Sequence, residues 1–494
     1  MREGRAQDMV TLRVGQSGDG GYVGEEGVRR LILVSNRAAY ALKEQDGKIE
    51  GVRTVSGLVS AVEPIIRAVG GVWVAWGGRC GLPGEKGAML EVPFEDPSYR
   101  LQEVLLTEEE VENYYHGFAN SCLWPLCHCF LEKCQYDPKY WETYLAVNRK
   151  FAAITLAQAE EGDLIFVQDF HLAMVPEEIR RLQRDVHLAM FWHIPFPPYD
   201  IFATLPWARE ILKGMLGCDF IAFHVPSYVD NFLFCVQRML KAPVNFKDNT
   251  ISWEGRTIGV QALPIGVDCE LFASLARKPE IQQRAKEIRE RIGSEIIILG
   301  VDRLDYTKGI PERLKAIEIF LAQNPDLRSR VTFLQVAVPT RVGVEAYQQL
   351  KQKTEETVGR INGLYSDSWH VPVRYIFKGL NQEELVAHYL AADVALVTPL
   401  RDGLNLVAKE YVASRINGDG VLILSSFAGA AEQMKDALLT NPYDPEDVAA
   451  KIKLAVTMPE NVRRQLMARL REQVQKYSLQ WWWQSLLKNL QPDG

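Results

Sequence analysis

The stretch TPLRDGLNLVAKEY (398–411) follows the apolar run DVALV and precedes a helix-like run. It sets Arg401, Asp402, Gly403 and Asn405 in a strand-to-helix turn and Glu410 two turns into the helix, beside Lys409. A second stretch, GVDRLDYTKGI, holds Arg303 and Lys308 five residues apart in another strand-to-helix turn. Two cations beside a helix N-terminus suit a diphosphate, because the backbone N–H groups and the helix dipole add to their pull. The plain alternative is a solvated loop. Gly309, which permits close backbone approach, favours the phosphate reading. SNR with Arg37 and PTRVG with Arg341 supply a further pair of cations able to clamp a second anion with bidentate contacts. Each alone is an ordinary surface arginine. VQDFHL and FWHIPFPP put Asp169 and His193 at neighbouring strand ends, where they can bind hydroxyls or handle protons. Metal binding is the weaker reading there, since no third ligand stands at a recognisable spacing. Tyr115 and Trp124, in YYHGFANSCLWP, offer aromatic faces suited to sugar rings, with core packing the default.

Elements must bring these residues together. RRLILVSNR, GGVWVAWGG, DLIFVQDFHL, VHLAMFWHIPFPP and DFIAFH read as strands, with helix-like stretches between them at 140–159 and 175–185. This alternation predicts a doubly wound parallel sheet. The pattern restarts at EIIILGVDRLDYTKG, then a helix over 309–325, then strands in VTFLQVAVPT, VRYIFKG, DVALVTPL and GVLILSSFAG. Two Rossmann-type domains follow, with a boundary near ALPIGVD (262–268), where Pro and Gly break the pattern. Their strand carboxyl ends face one cleft, so Arg37, Asp169, His193, Arg303, Lys308, Arg341 and Asp402 fall into one candidate site by position alone. KYSLQWWWQSLLKNLQ (476–491) reads as a helix whose three tryptophans point about 100° apart, as packing rather than ligand contacts would have them.

The bulk properties fit this frame. A chain of 494 residues exceeds one ordinary core. With 47% hydrophobic and 24% charged residues it reads as globular, and a net charge of −7 argues against a broad nucleic-acid surface. No run of 18 apolar residues marks a membrane span, and the polar, Gly-rich residues 1–28 lack a signal-peptide core, reading instead as a flexible leader with Met9 an alternative start. Eight cysteines without export point to reduced thiols in a cytoplasmic protein. Cys122, Cys127, Cys129 and Cys134 cluster with His128, but lack a C-x-x-C pair and read as buried small side chains. Neither a P-loop nor a clear G-x-G-x-x-G is present, which disfavours a nicotinamide enzyme.

Taken together, SNR, SGLVSAV, ENYYHGFANSCLWP, QDFHL, HIPFP, LPWAREIL, DRLDYTKGIPERL, GRINGLY, TPLRDGLNLVAKEY and SSFAGAAEQ resemble the trehalose-6-phosphate synthase family, in order and over about residues 31–490. The resemblance implies a GT-B fold: an acceptor domain over 29–264, a donor domain over 265–473, and a C-terminal helix (474–494) packing back toward the N-terminal domain. It implies a metal-independent, retaining glucosyltransferase with no cofactor, acting on a nucleotide-diphosphate glucose and glucose 6-phosphate. Residue by residue, Asp402 resembles the acid holding donor-glucose hydroxyls. The Gly403–Leu406 turn, with Asn405, resembles the main-chain contact to sugar and phosphates, and Glu410 the acceptor for ribose hydroxyls. Arg303 and Lys308 resemble the diphosphate clamp, and Arg37 with Arg341 the grip on the 6-phosphate. Trp76, Tyr115 and Trp124 resemble acceptor-pocket residues, as does Gly57, in a loop that approaches the phosphates. Asp169 resembles a residue bonding the acceptor sugar, and His193 one contacting the transferring glucose. In this scheme the leaving phosphate takes the acceptor proton, so Asp169 is not assigned as a base. The donor base is expected near Phe377 and Lys378, and a homo-oligomer, dimer or tetramer, is expected. The chain departs from the family at TVSGL, with Ser56 for a glycine, and at WPLCH, with Cys127 for an aromatic. Two rivals remain: a glucosylglycerol-phosphate synthase using glycerol 3-phosphate, and a non-catalytic regulatory relative, which would be expected to have lost the charged residues retained here.

Overall fold

The computed structural model describes residues 30–45, 48–54, 57–94, 96–182, 186–340 and 345–490. The leader, Ser56 and Arg341 lie outside these described residues.

Among the described residues, two large sheets carry the fold. The first has ten strands and the second six. At the centre of the first, Leu31–Arg37 pairs in parallel with Val72–Trp76 on one side and Leu164–Gln168 on the other. His187–Phe191, Phe220–Phe223 and Arg256–Ala262 extend the latter side, all parallel. These strands read as unbroken apolar runs because helices cover both faces. The sheet is not parallel throughout, as the alternation predicted. Met89–Val92 pairs antiparallel at one edge, and the short strands Val244–Asn245 and Thr250–Trp253 close the other as an antiparallel hairpin. A separate hairpin joins Tyr40–Gln45 to Lys48–Arg53. These short, half-polar strands lack the continuous apolar signature, which is why the sequence reading passed over them.

The second sheet is parallel in every pair, in the order Val373–Ile376, Val331–Val338, Ile296–Arg303, Val394–Val397, Val421–Ser425, Leu438–Thr440. That is the 3-2-1-4-5-6 order of a dinucleotide-type fold. Strand order reverses once in each sheet: between Leu31–Arg37 and Leu164–Gln168, and between Ile296–Arg303 and Val394–Val397. Helices cross to opposite faces at such a point, which leaves a crevice beyond the strand carboxyl ends. Arg37 and Asp169 flank the first crevice; Arg303, Lys308 and Asp402 flank the second.

Two chain crossings join the lobes and run side by side. Residues 263–268 leave the first sheet, and a Cβ on Gly266 would stand 2.2 Å from the Ser478 carbonyl carbon, so only glycine fits there. The Leu479 N–H donates to the Val267 carbonyl at 3.2 Å. This contact accompanies a break in the last helical stretch. Glu460–Lys476 and Leu479–Leu490 are separate helices, rather than one helix starting at 476. The second helix packs on the first lobe: Trp482 is fully buried, with its ring 5.4 Å from Phe191 and 6.3 Å from Phe166. A buried tryptophan of this size contributes roughly 4–6 kcal/mol of transfer free energy before the cost of ordering the chain. Trp481 instead meets Tyr477 edge-on. Among the described residues no helix is long and apolar enough to cross a membrane.

Candidate active site

The second sheet's half of the site is built on ion pairs. Beyond Arg303 the chain makes one tight turn, Tyr306–Lys308, held because Asp305 accepts from the Thr307 N–H at 3.0 Å and its hydroxyl at 2.9 Å. Gly309 then adopts φ +64°, and a Cβ there would stand 2.8 Å from the Thr398 carbonyl. The helix Ile310–Gln323 starts at this point, with no side chain capping the N–H groups of its first turn. Lys308 bends under the turn, with Nζ 2.5 Å from Asp402 Oδ2. The Asn405 side chain donates to the same oxygen at 3.1 Å, and its own Oδ1 caps the helix Leu406–Ser414 through the Ala408 N–H. Burial alone would raise the Asp402 carboxyl; the Lys308 ammonium more than offsets it and holds the group below the ordinary range. Lys308 and Asp402, read from the sequence as separate contacts, are therefore one pair.

Beneath them lies Arg313, which sequence reasoning missed. It is fully buried, bonding Asp302 at 2.5 Å, Gln335 Oε1 and Thr398 Oγ1 at 2.9 Å each, and the Lys308 carbonyl at 3.3 Å. An arginine among Ile310, Leu314 and Ile317, on the apolar face of its helix, was the available signal.

The first sheet's half is built on rings and main chain. Asp169 sits at φ +71°, a strained conformation for a residue with a side chain. Its N–H donates to the Phe191 carbonyl at 2.7 Å and its Oδ1 accepts the His193 N–H at 3.1 Å, so strand ends 169 and 193 are locked together. Burial pushes Asp169 up to about 7, against the N–H groups of Phe170 and His193 and the charge of Arg303. Burial also takes His193 down to about 3, so its imidazole is neutral. The His193 Nε2 stands 2.9 Å from Gln168 Oε1, an acceptor that places the ring proton on Nε2. Gln168 was quoted in its motif but given no role. Arg37 lies flat on Trp76, its guanidinium carbon 3.8 Å from the ring centre and 5.4 Å from that of Tyr115. Tyr115 in turn stacks on His171 at 5.9 Å.

Tyr115 lies within, and Trp124 directly after, an unpredicted element, a π-helix over Val111–Leu123 that continues from a Thr107–Glu110 capping box. Its wider turns show in the side chains, since Asn120 and Ser121 each reach back five residues, to the Tyr115 and His116 carbonyls. Such bulges recur at functional sites. His128 lies under Trp124, ring to ring at 4.2 Å, with Nδ1 2.7 Å from the Trp124 carbonyl. Cys122 and Cys127 are buried and Cys129 and Cys134 half-buried. Among the described residues no three His, Cys, Asp or Glu side chains converge as metal ligands.

The halves meet at several points among the described residues. A Cβ on Gly403 would stand 2.1 Å from the His193 carbonyl oxygen, so glycine lets the two backbones touch. The Tyr228 hydroxyl donates to the Asp402 carbonyl at 3.3 Å. Arg303 lies 5.3 Å from the Trp124 ring, and Phe130 meets Tyr306 edge-on at 5.3 Å. A Cβ on Gly57 would come within 3.0 Å of Leu406, so the start of the helix Gly57–Val69 also reaches the second lobe. Asp169, His193, Trp124, Arg303, Lys308, Asp402, Gly403 and Asn405 thus surround one spot. Arg37, Trp76 and Tyr115 form a second group in the first lobe. Glu410 stands apart, accepting the Tyr389 hydroxyl at 2.8 Å, and burial raises its carboxyl against that bond.

A family model, glycosyltransferase family 20, matches residues 29–492. The chain belongs to glycosyltransferase family 20. Family 20 relatives include the trehalose-6-phosphate synthase of Mycobacterium avium, 40% identical over 486 residues, covering 97% of this chain and 98% of the relative. The enzyme of that name from Mycolicibacterium smegmatis is 39% identical over 488 residues, covering 97% of this chain and 95% of the relative. Among solved family 20 structures, the UDP-forming α,α-trehalose-phosphate synthase of Burkholderia xenovorans, in complex with glucose-6-phosphate, superposes with a TM-score of 0.87 at 32% identity, covering 94% of this chain and all of the other. The Escherichia coli protein bound with UDP-2-fluoro glucose gives 0.86 at 31% identity, covering 93% of this chain and 98% of the other. The two facing Rossmann-type lobes are the GT-B architecture that the family resemblance implied.

Proposed function

We propose that the chain is a retaining glucosyltransferase that moves glucose from UDP-glucose to glucose 6-phosphate, giving α,α-trehalose 6-phosphate and UDP. The observation that carries this reading is its near full-length similarity to trehalose-6-phosphate synthases. The site geometry supports a division of labour. On the second lobe, Arg303, Lys308 and the free N–H groups after Gly309 receive the diphosphate and stabilise the charge that grows on it as the glycosidic bond breaks. Asp402, held ionised by Lys308, accepts from hydroxyls of the donor glucose. Glu410, freed from Tyr389 or sharing it, accepts the ribose hydroxyls. At the acceptor end, Arg37 from the first lobe and Arg341 from the second lobe's sequence take the 6-phosphate, with Trp76, Tyr115 and Trp124 of the first lobe as the wall of the acceptor pocket. Asp169 bonds the acceptor sugar and orients it through a carboxyl that the His193 N–H keeps in place. The departing phosphate oxygen, on the same face as the attacking hydroxyl, receives that hydroxyl's proton. No side chain is then required as a base, in keeping with a His193 that burial holds neutral and Nε2-protonated.

The test is UDP release from UDP-glucose with glucose 6-phosphate and glycerol 3-phosphate supplied separately, the product identified by mass and by its anomeric proton coupling. Trehalose 6-phosphate from the first acceptor supports the proposal. Product from glycerol 3-phosphate alone would move the chain to the glucosylglycerol-phosphate reaction.

A further inference from the structure

Lys409 has no part in the scheme above, yet it is 1% exposed and carries an ammonium. Burying a cation is unfavourable unless acceptors surround it. Two do: Nζ stands 2.7 Å from the carbonyl oxygen of Ile265 and 2.6 Å from Gln433 Oε1. Ile265 is not in either sheet. It lies in the 263–268 crossing between the lobes, and its N–H donates on the other side to His224 Nδ1 at 3.5 Å. With Nδ1 an acceptor, the His224 ring proton is on Nε2. That ring also packs against the His193 ring, centre to centre at 5.3 Å. The His193 N–H is committed to Asp169. The His193 carbonyl is the oxygen against which Gly403 closes. A continuous line of contacts therefore runs from the helix that carries Glu410, through the linker peptide and the His224 ring, to the loop that carries His193.

We propose that Lys409, acting through the Ile265 peptide and His224, is a positioning residue that sets the donor-side helix against the His193 loop across the lobe crossing. The inference rests on the proposed transferase function for its kinetic meaning, though not for its geometry. A single peptide group holds both ends, its carbonyl on Lys409 and its N–H on His224, so a shift at either end moves the other. Burial pulls the Lys409 ammonium down to about 7, which marks how strongly the surroundings resist the charge and how much the two acceptors must supply. Glu410 and Lys409 are adjacent on the helix and point to different partners, Tyr389 and the linker, so ligand contact and linker contact share one rigid element.

The experiment uses the full chain and the variants Lys409→Met, His224→Phe and their combination. Amide hydrogen exchange of the ligand-free protein is read first, because it does not depend on any substrate. Exchange over 190–197 and 263–268 is expected to speed up at least fivefold in Lys409→Met, while the edge strands over 244–253 keep the wild-type rate. Unchanged exchange over 190–197 overturns the proposal. Kinetics are read second: kcat is expected to fall tenfold or more in each single variant, with KM for glucose 6-phosphate within twofold of wild type and the double variant no worse than the poorer single. Multiplying losses, or a fall confined to thermal stability, overturns it. If Lys409→Met does not fold, His224→Phe, which keeps the ring volume, carries both readouts. An inactive wild type with the expected exchange pattern would fail the proposed function and leave the coupling standing, so the two failures are distinct.

Discussion

The two lobes solve the same placement problem with opposite chemistry. In the second lobe, side chains at the strand-order reversal are charged and paired: Lys308 with Asp402, and Arg313 with Asp302. In the first, they are neutral or stacked: a neutral His193, an Asp169 pushed up toward neutrality, an Arg37 lying on Trp76. A diphosphate brings concentrated charge and leaves with more, so its half needs fixed ions that do not reorganise. The acceptor's sugar part is read by ring faces and main-chain groups, and its phosphate is left to Arg37, stacked on Trp76. On the proposed assignment, the sheet topology supplies two equivalent crevices and the residues at each decide which substrate half it takes.

Breaking the charged side is expected to have the largest effect. Arg313→Met would leave Asp302 buried and alone, and a broken buried pair costs roughly 3–5 kcal/mol. Urea unfolding should show a loss of that order, and a loss under about 1 kcal/mol would mean that the pair does not organise the turn. Arg303→Met should leave the fold intact and lower kcat by about a hundredfold to a thousandfold, the usual consequence of deleting one fixed positive group at a developing oxyanion. Steady-state kinetics would contradict this if KM for glucose 6-phosphate changed instead. On the stacked side, Arg37→Met removes a charge-assisted contact of about 1.5–3 kcal/mol, so KM for glucose 6-phosphate should rise about tenfold to a hundredfold with donor binding nearly unchanged.

The pH prediction sharpens the comparison at Asp169. Its carboxyl is raised from 3.8 to about 7 in the folded chain. A raised carboxyl contributes its stability in full below the unfolded value, and loses it as pH rises through the folded value. Wild type should therefore fall behind Asp169→Asn as pH climbs from 4.5 to 7.5, measured as the gap between urea midpoints. A gap that is flat, or that narrows, would mean the carboxyl is ionised throughout. The smallest expected effect is that of a chelator. With Arg303 and Lys308 supplying the positive charge, EDTA should leave UDP release unchanged, and a loss restored by added Mg²⁺ would overturn that assignment.

How far the sequence could be read follows the same physics. The long parallel strands were legible because strands buried on both faces are unbroken apolar runs, and the turns after them because Asp402, Lys308 and Gly309 stand where apolar character stops. Edge strands such as Met89–Val92 and the 244–253 hairpin were not, because half-exposed residues blur into loops. The π-helix over 111–123 escaped because its five-residue reach has no distinct spacing in a short window. The pairing of Lys308 with Asp402 joins residues 94 apart in sequence, and nothing local announces such a contact. Lys409 was visible beside Glu410, but its partner is a main-chain carbonyl in the linker, and main-chain partners leave no residue signature.

The most direct test of the two-crevice account is calorimetric titration of UDP and of glucose 6-phosphate, separately, into wild type, Arg37→Met and Arg303→Met. The account predicts a crossed pattern: Arg37→Met loses affinity for glucose 6-phosphate and keeps it for UDP, and Arg303→Met does the reverse. Equal weakening of both ligands by either variant would contradict it.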